Sequence, residues 1–575
     1  MADNGGVGIA LFAASLDRRA IWKERLRGMA LFLFYLALVW VLSGCLAENG
    51  LDNRLYRHPT IRLLMEGWNP IAASTPEALQ ATGLVDVGEV KVWHVLFISR
   101  ALEVFCGAFG LVLQAPFNVA LPILFFIAPV ALASLWRFAR EEGMSKFARC
   151  AMVAVVAGWL MWMFAGLETA CDLLIAFSGI AVVTSMARIL RGRQAWGTLL
   201  VCSLWMLTAK QSALPACFGL WVAFSYVALW RGRAEWRKWC VRLALCAGLL
   251  GGGALWVCSS PYLTSWAHYG HPLYPAYTVD EVRFPAQDLT YDFKIRNADA
   301  AAMGHVGYFS NAYLSPALTR MYYACKLERP DFRPYYETWV QGNTKGQGFD
   351  SPVSVPTRVA LLVAAAVVFA LGGPWIRFVG ALCVLSLVFL PTQYIGYVRY
   401  TPWVALLGGL AAGLAVDRLG RCLPKWRLGL ALGGGCMAYG ALTLLMLVAV
   451  QIDYQWEIQQ ALRSPGIDAL VAEDGPLVRG LTQANQRLLC RQEPALRGAE
   501  LLPPGWKGEG LRKFALPGFS AVLKEGAEAA PSLYREASGQ PTRMGRYLRY
   551  ALFVPRTYLM SLPKLMWWRV ESLWR

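Results

Sequence analysis

The chain has 575 residues, of which 57% are hydrophobic and only 16% are charged. A water-soluble globular protein of this size needs more charged surface, so the composition excludes that class and predicts a membrane protein. The net charge of +18 does not indicate a nucleic-acid-binding protein, because the basic residues form short clusters beside apolar runs and not one patch.

Apolar runs that approach the roughly 20 residues needed to cross a bilayer recur along the chain. They predict an all-α polytopic membrane protein with about eleven transmembrane helices, in a transmembrane domain over residues 1–450. This domain has two large loops, 48–117 and 260–356, and is followed by a tail, 451–575. The predicted spans lie near residues 28–47, 118–136, 150–166, 172–190, 195–208, 213–230, 241–259, 357–373, 377–391, 402–416 and 429–450.

Clusters of basic residues predict the orientation of these helices. They lie in residues 18–27, 137–149, 188–193, 231–238 and 418–427, which are all on the same side of the predicted bundle. The positive-inside rule makes that side cytoplasmic. We therefore expect a multi-pass protein of the bacterial inner membrane, with a cytoplasmic N-terminus and a periplasmic C-terminus. Both large loops are then periplasmic.

The first large loop begins with a charged, aromatic segment at residues 52–70. Residues 54–66 predict an amphipathic helix whose Arg54, Arg57 and Arg62 face water or phosphate headgroups, and a second such helix is predicted at about 91–110. Both helices can also be simple interfacial helices without chemistry. Asp52, just ahead of the first, can deprotonate an acceptor hydroxyl, hold a divalent metal ion beside a phosphate, or cap the helix.

A second acidic position lies in the short predicted turn between the third and fourth spans. Glu168 and Asp172 are four residues apart, so within a helix their side chains face the same way. Ionisable groups at the edge of a span need a partner or a water-filled cavity. They are either a water-exposed interfacial pair or, if this turn meets Asp52, part of an acidic cluster. Asp52 and Asp172 are the candidate ligands for a metal ion.

Basic and imidazole groups complete the candidate residues. Lys210 interrupts an apolar hairpin at 195–230, where it can bind a lipid phosphate or snorkel to the interface. Arg399 lies in a predicted outer turn beside Tyr397, and its guanidinium suits a phosphate. His268 and His271 follow the seventh predicted span, and two histidines alone are a weak metal signal.

The chain lacks several common catalytic motifs. It has no Gly-x-x-x-x-Gly-Lys-Ser/Thr phosphate-binding loop, no Gly-x-Ser-x-Gly elbow and no His-Glu-x-x-His or Cys-x-x-Cys metal motif. An ATP-driven pump and a common serine hydrolase are therefore disfavoured.

Four segments together resemble the bacterial multi-pass glycosyltransferases of the GT-C fold, a class that includes protein O-mannosyltransferases and aminoarabinose transferases. Residues 55–70 resemble the first-loop Tyr-His-x-Pro and Gly-Trp-Asn-Pro pattern of that class. Residues 208–213 and 269–275 are similar to its Lys-containing hairpin tip and to its Gly-Asn-Pro-Phe/Tyr-Tyr-Pro segment. Residues 398–402 resemble its late Arg-Tyr turn. The order of these segments matches over roughly residues 28–416.

The resemblance implies a role for several residues. Asp52 corresponds to the first-loop catalytic acid and Asp172 to the acid of the second outer loop, while Lys210 and Arg399 correspond to ligands of the donor phosphate. The remaining first-loop and acceptor-site candidates are Tyr56, His58, His268, His271 and Tyr397. The chain departs from the pattern because Asn53 follows Asp52, Arg57 separates Tyr56 from His58, and His271 replaces an asparagine.

We therefore expect a glycosyltransferase that uses a polyprenyl-phosphate sugar donor, with membrane lipids and no nucleic acid as partners. The alternatives are a lipid or polysaccharide transporter or flippase, and a non-catalytic component of an envelope assembly complex. The tail ends in a basic, aromatic segment at 547–575 that is expected to rest on the membrane. Cys325 and Cys490, in the two large outer regions, are candidates for a disulfide.

Overall fold

The computed structural model describes the bundle and part of the tail. The described residues are 26, 29–30, 33–34, 57–84, 95–96, 100–113, 121–163, 170–210, 213–269, 354–388, 402–422, 431–438, 467–472, 500–502, 513–516 and 519–523. The 260–356 loop beyond residue 269 and the basic segment at 547–575 lie outside these residues, as do Cys325 and Cys490.

Helices make up most of the described chain. In chain order they are α1 His58–Met65, α2 Pro76–Ala81, α3 Ala101–Leu113, α4 Leu121–Glu141, α5 Lys146–Met163, α6 Ala170–Leu190, α7 Trp196–Ala209, α8 Leu214–Arg231, α9 Trp236–Val257, α10 Thr264–Tyr269, α11 Ser354–Leu371, α12 Pro374–Val388 and α13 Leu406–Cys422. Helices α4–α9 and α11–α13 lie over nine of the eleven apolar runs. The other two runs, 28–47 and 429–450, lie mostly outside the described residues.

Among the described residues, four helical stretches have the length and apolar composition to cross a bilayer. They are Leu173–Leu190, Leu214–Arg231, Arg233–Val257 and Trp403–Gly420. Shorter apolar helices occupy Trp196–Ala209, Leu361–Leu371 and Pro374–Ser386. The predicted helical membrane protein is thus confirmed at this level, whereas the count of eleven spans and the orientation stay predictions.

The core of the bundle is built around α6, which packs against α4 and α7. Small residues allow close approach between helices, as is common in membrane bundles. Gly179 of α6 faces the indole of Trp403, which is completely buried, and Gly409 of α13 lies against Val156 of α5. The Trp403 Nε1–H donates to Ser386 Oγ at 3.1 Å, so its polar atom is also satisfied.

One end of the bundle is held by ion pairs between loops. Arg188 Nη2 lies 3.0 Å from Glu141 Oε1, and Arg191 pairs with Glu142. Burial raises the pKa of Glu142, and the positive charge of Arg191 opposes that rise. These pairs join the end of α6 to the end of α4, at the end of the bundle where the sequence places its basic clusters.

The tail contains a four-stranded sheet, which the prediction of an all-α chain did not include. Its strands are β1 Ile467–Ala472, β2 Glu500–Leu502, β3 Lys513–Leu516 and β4 Phe519–Leu523. Their order is β2-β1-β4-β3, with β1 and β2 parallel and the other pairs antiparallel. Apolar runs this short do not distinguish a strand from a helix by periodicity, which is why the sequence left the tail unassigned.

Candidate functional site

The structure describes four of the ten candidate residues, each at least in its backbone. His58 is the first residue of α1, Asp172 lies in the first turn of α6, Lys210 directly follows α7, and His268 lies on α10. The other candidates, which lie outside the described residues, are Asp52, Tyr56, Glu168, His271, Tyr397 and Arg399.

Arg57 connects the first loop to the start of α6. Its Nη2 donates to Cys171 Sγ at 2.9 Å, although the two residues are 114 positions apart. Arg57 is five residues after Asp52, and Cys171 immediately precedes Asp172. The contact therefore places Arg57 beside the residue that precedes Asp172, whereas Asp52 itself lies outside the described residues.

The same arginine forms a buried ion pair with α3. Arg57 Nη1 donates to Glu103 Oε1, and both residues are only 1% exposed. Burial raises the pKa of Glu103 above its usual range, and the charges of Arg57 and Arg100 oppose that rise. The prediction that Arg57 and Arg62 face water or headgroups is wrong, since Arg62 is also completely buried. Helix α1 packs against α3, where Gly107 lies next to Leu64 of α1.

Arg100, at the start of α3, contacts three segments of the chain. Its Nη1 donates to Ser260 Oγ at 2.7 Å, and its Nη2 donates to the Leu96 carbonyl. Its guanidinium carbon lies 4.7 Å from the centre of the Trp68 ring, a cation–π contact. Burial lowers the pKa of Arg100 to about 9, a drop that the charge of Glu103 limits. Arg100 therefore joins the first loop to the chain that follows α9.

His268, on α10, contacts the first loop. Its Nε2 lies 3.0 Å from Ser74 Oγ, in the segment between α1 and α2. Ser74 is buried, whereas His268 is exposed. The imidazole is thus the exposed member of this hydrogen-bonded pair.

Lys210 lies next to the joined ends of α7 and α9. The Tyr262 hydroxyl donates to the Leu207 carbonyl at 3.2 Å, and Cys258 Sγ donates to the Thr208 carbonyl at 3.4 Å. Lys210 is half-buried, with an extended backbone that ends α7 before α8 begins. The predicted helical hairpin with a lysine at its tip is confirmed.

The outer cluster is the name we give to the residues that these contacts connect, namely Arg57, Trp68, Ser74, Arg100, Glu103, Cys171, Ser260 and His268. Sequence reasoning did not single out Ser74, Arg100 or Glu103, and it included Trp68 only as part of the Gly-Trp-Asn-Pro pattern. A usable signal existed, because Arg100 and Glu103 are the only charged residues between 92 and 136. Ionisable residues within an apolar run are costly unless they are paired or functional.

The chemistry available in the outer cluster is that of guanidinium, carboxyl, hydroxyl and imidazole groups. Within the described residues, no group of three or more His, Cys, Asp or Glu residues is arranged to hold a metal ion. Asp52 lies outside those residues, so the predicted metal pair is not tested. No protein-family model, curated protein or solved structure matches this chain.

Proposed function

We propose that this protein is a membrane glycosyltransferase that moves a sugar from a polyprenyl-phosphate donor to an acceptor on the periplasmic face. The observation that supports the proposal is the contact of Arg57 with Cys171, because Arg57 follows Asp52 by five residues and Cys171 directly precedes Asp172. Arg57 and Cys171 are 114 positions apart in the sequence, so this contact is made by the tertiary fold.

Other contacts support the same location. The outer cluster also gathers the start of α3, the chain after α9 and His268. Lys210 follows α7 beside residues 258 and 262, which come from the same part of the chain as Ser260. Ionisable groups collected at one end of a helical bundle suit a reaction at the membrane surface better than a polar path across the membrane.

In the proposed reaction, Asp52 accepts the proton of the acceptor hydroxyl as its oxygen attacks the anomeric carbon of the sugar. The bond between that carbon and the phosphate oxygen breaks, and the polyprenyl phosphate leaves with the bonding electrons. Lys210 and Arg399 stabilise the negative charge that develops on the phosphate. If the reaction uses a divalent metal ion, Asp52 and Asp172 would hold it, and it would supply positive charge beside the donor phosphate.

The test is mass spectrometry of envelope glycans and of carrier-linked sugars in a deletion strain. The strain is complemented with the wild type, with Asp52→Asn or with Glu235→Gln, at equal membrane abundance. Glu235 is a matched control because it is an exposed acid in the turn between α8 and α9. We expect the wild type and the control to restore a missing sugar, and Asp52→Asn to leave the carrier-linked sugar accumulated.

Other outcomes separate the alternatives. Full restoration by Asp52→Asn would overturn the proposal and leave Asp52 as a helix cap. A deletion strain that accumulates its missing lipid-linked product only on the cytoplasmic side of the membrane would indicate a flippase. An unchanged set of glycans and carrier lipids in the deletion strain would indicate a protein without a transfer reaction.

A further inference from the structure

A dense group of positive charges lies between two membrane-length helices, far from the outer cluster. We call residues 230–242 the basic turn; it connects α8 to α9 through a short 3-10 helix at Arg233–Glu235. Helix α8 has 18 residues, so at 1.5 Å per residue the turn lies roughly 27 Å along that helix from its beginning near Lys210. Both flanking helices have the length and composition to cross a bilayer, which puts the turn at a membrane surface.

The basic turn carries five cationic side chains and one acid. The cations are Arg231, Arg233, Arg237, Lys238 and Arg242, and the acid is Glu235. Lys238 Nζ donates to Glu235 Oε1 at 2.9 Å, so the one acid of the turn is already paired with a lysine. Among the described residues, the exposed Arg233, Arg237 and Arg242 form no ion pair with a carboxylate.

Tryptophans alternate with these arginines. The guanidinium carbon of Arg233 lies 5.7 Å from the Trp230 ring centre, that of Arg237 lies 5.8 Å from Trp236, and that of Arg242 lies 5.9 Å from Trp239. Trp230 is 57% exposed and Trp236 is 55% exposed. Exposed indoles at the ends of membrane helices prefer the level of the lipid headgroups, so the arginines are held at that level too.

Basic residues nearby are used differently. Arg188 and Arg191 at the end of α6 are neutralised by Glu141 and Glu142. Arg231 lies over the Trp375 ring at 4.5 Å, which fixes the beginning of the basic turn against α12. The remaining arginines of the turn thus follow a residue whose position is fixed, and their charges are available to a ligand.

We propose that the basic turn is a binding site for the phosphate headgroups of anionic phospholipids. Guanidinium groups bind phosphate oxygens through parallel hydrogen bonds, and tryptophan rings contact the adjoining glycerol and acyl carbons. Each basic residue near an anionic membrane surface strengthens attraction by about fivefold. This inference is independent of the glycosyltransferase proposal, because it uses no residue of the outer cluster.

The experiment is native mass spectrometry of the purified full-length protein, titrated with phosphatidylglycerol or with phosphatidylcholine. The test variant is Arg233→Gln/Arg237→Gln. The control is Arg140→Gln/Arg193→Gln, which removes two exposed arginines that do not belong to the turn. We expect the wild type and the control to prefer phosphatidylglycerol, and the test variant to bind it more weakly by about 25-fold, from about fivefold per charge.

Two results would overturn the proposal. One is equal binding of both lipids by the wild type, and the other is the same affinity in the test and control variants. If the test variant fails to fold, the comparison of the two lipids on the wild type still tests the proposal. Raising the salt from about 0.1 M to about 1 M shortens the screening length about threefold, so the preference must fall. A preference that is indifferent to salt would also contradict the proposal.

Discussion

Arg100 lies with its guanidinium carbon 4.7 Å from the centre of the Trp68 ring, which is itself buried. Trp68 is held in turn by its indole N–H, which donates to the Ala73 carbonyl at 3.1 Å. Arg100 therefore holds the segment that follows α1 against the start of α3. The consequences of this arrangement can be measured.

The first prediction concerns Arg100→Lys. A lysine lacks the planar group that stacks on Trp68 while also donating to Ser260 and to the Leu96 carbonyl. We expect the free energy of unfolding to fall by about 2 kcal/mol, the usual loss for a hydrogen bond to a charged group. Thermal unfolding in detergent measures it. Arg242→Lys, at an exposed arginine over Trp239, is the control and should leave the midpoint unchanged.

The second prediction concerns the buried pair of Arg57 and Glu103. Arg57→Met removes the cation and leaves a buried carboxyl group, which should destabilise the protein by about 3–5 kcal/mol. The double variant Arg57→Met/Glu103→Leu should recover part of that loss, because the unpaired carboxyl group is then gone, while Arg100 stays buried without the nearby charge of Glu103. Denaturant titration of the two variants decides this. If the double variant is as unstable as the single one, the contact of Arg57 with Cys171 matters more than the ion pair.

A third prediction follows from the raised pKa of Glu103. A carboxyl whose pKa is higher in the folded state contributes stability that is fully present below its unfolded value of 4.5. That contribution is lost as the pH rises through the folded pKa. The wild type should therefore gain stability relative to Glu103→Gln when the pH is lowered from neutral towards 4.5. Equal pH dependence of the two proteins would show that Glu103 does not titrate in this window.

The fourth prediction tests the packing of the core. A Cβ at Gly179 would lie 2.5 Å from Cδ2 of the buried Trp403 ring, so Gly179→Ala should cost about 1–3 kcal/mol by overpacking. Gly248→Ala in α9 is the matched control, because nothing lies within 4 Å of its added methyl group. It should be neutral or stabilising by up to about 1 kcal/mol, the usual gain for replacing a helical glycine. Unfolding midpoints of the two variants give the comparison.

The fifth prediction depends on the proposed function. If Lys210 stabilises the leaving phosphate, Lys210→Gln should reduce the rate of sugar transfer by about 10²–10³-fold, the typical effect of losing one such donor. Lys146→Gln, at an exposed lysine at the start of α5, should retain full activity. The assay follows transfer from the carrier lipid by mass spectrometry. Retained transfer in Lys210→Gln would make Lys210 a residue that only snorkels.

Parts of this fold could be predicted from the sequence with useful accuracy. The run at 172–190 predicts the helix that is Ala170–Leu190, and the hairpin at 195–230 predicts α7, Lys210 and α8. Apolar length and uniformity are local properties, so they can be identified without knowing any neighbour. The predicted α1 was also found, but the face it buries was not.

The sequence alone thus determined which segments are long and apolar enough to span a membrane. Such a segment can span it as a helix because a helix satisfies its own backbone hydrogen bonds. The sequence also determined where the cationic clusters lie along the chain. Only the tertiary structure decided that Arg57, Arg100 and Glu103 are buried together with Cys171 and Ser260. Those partners are 46 to 160 positions apart. A charged residue is stable in the interior only when its partner is brought to it, and that depends on how the helices pack and not on the sequence beside the residue.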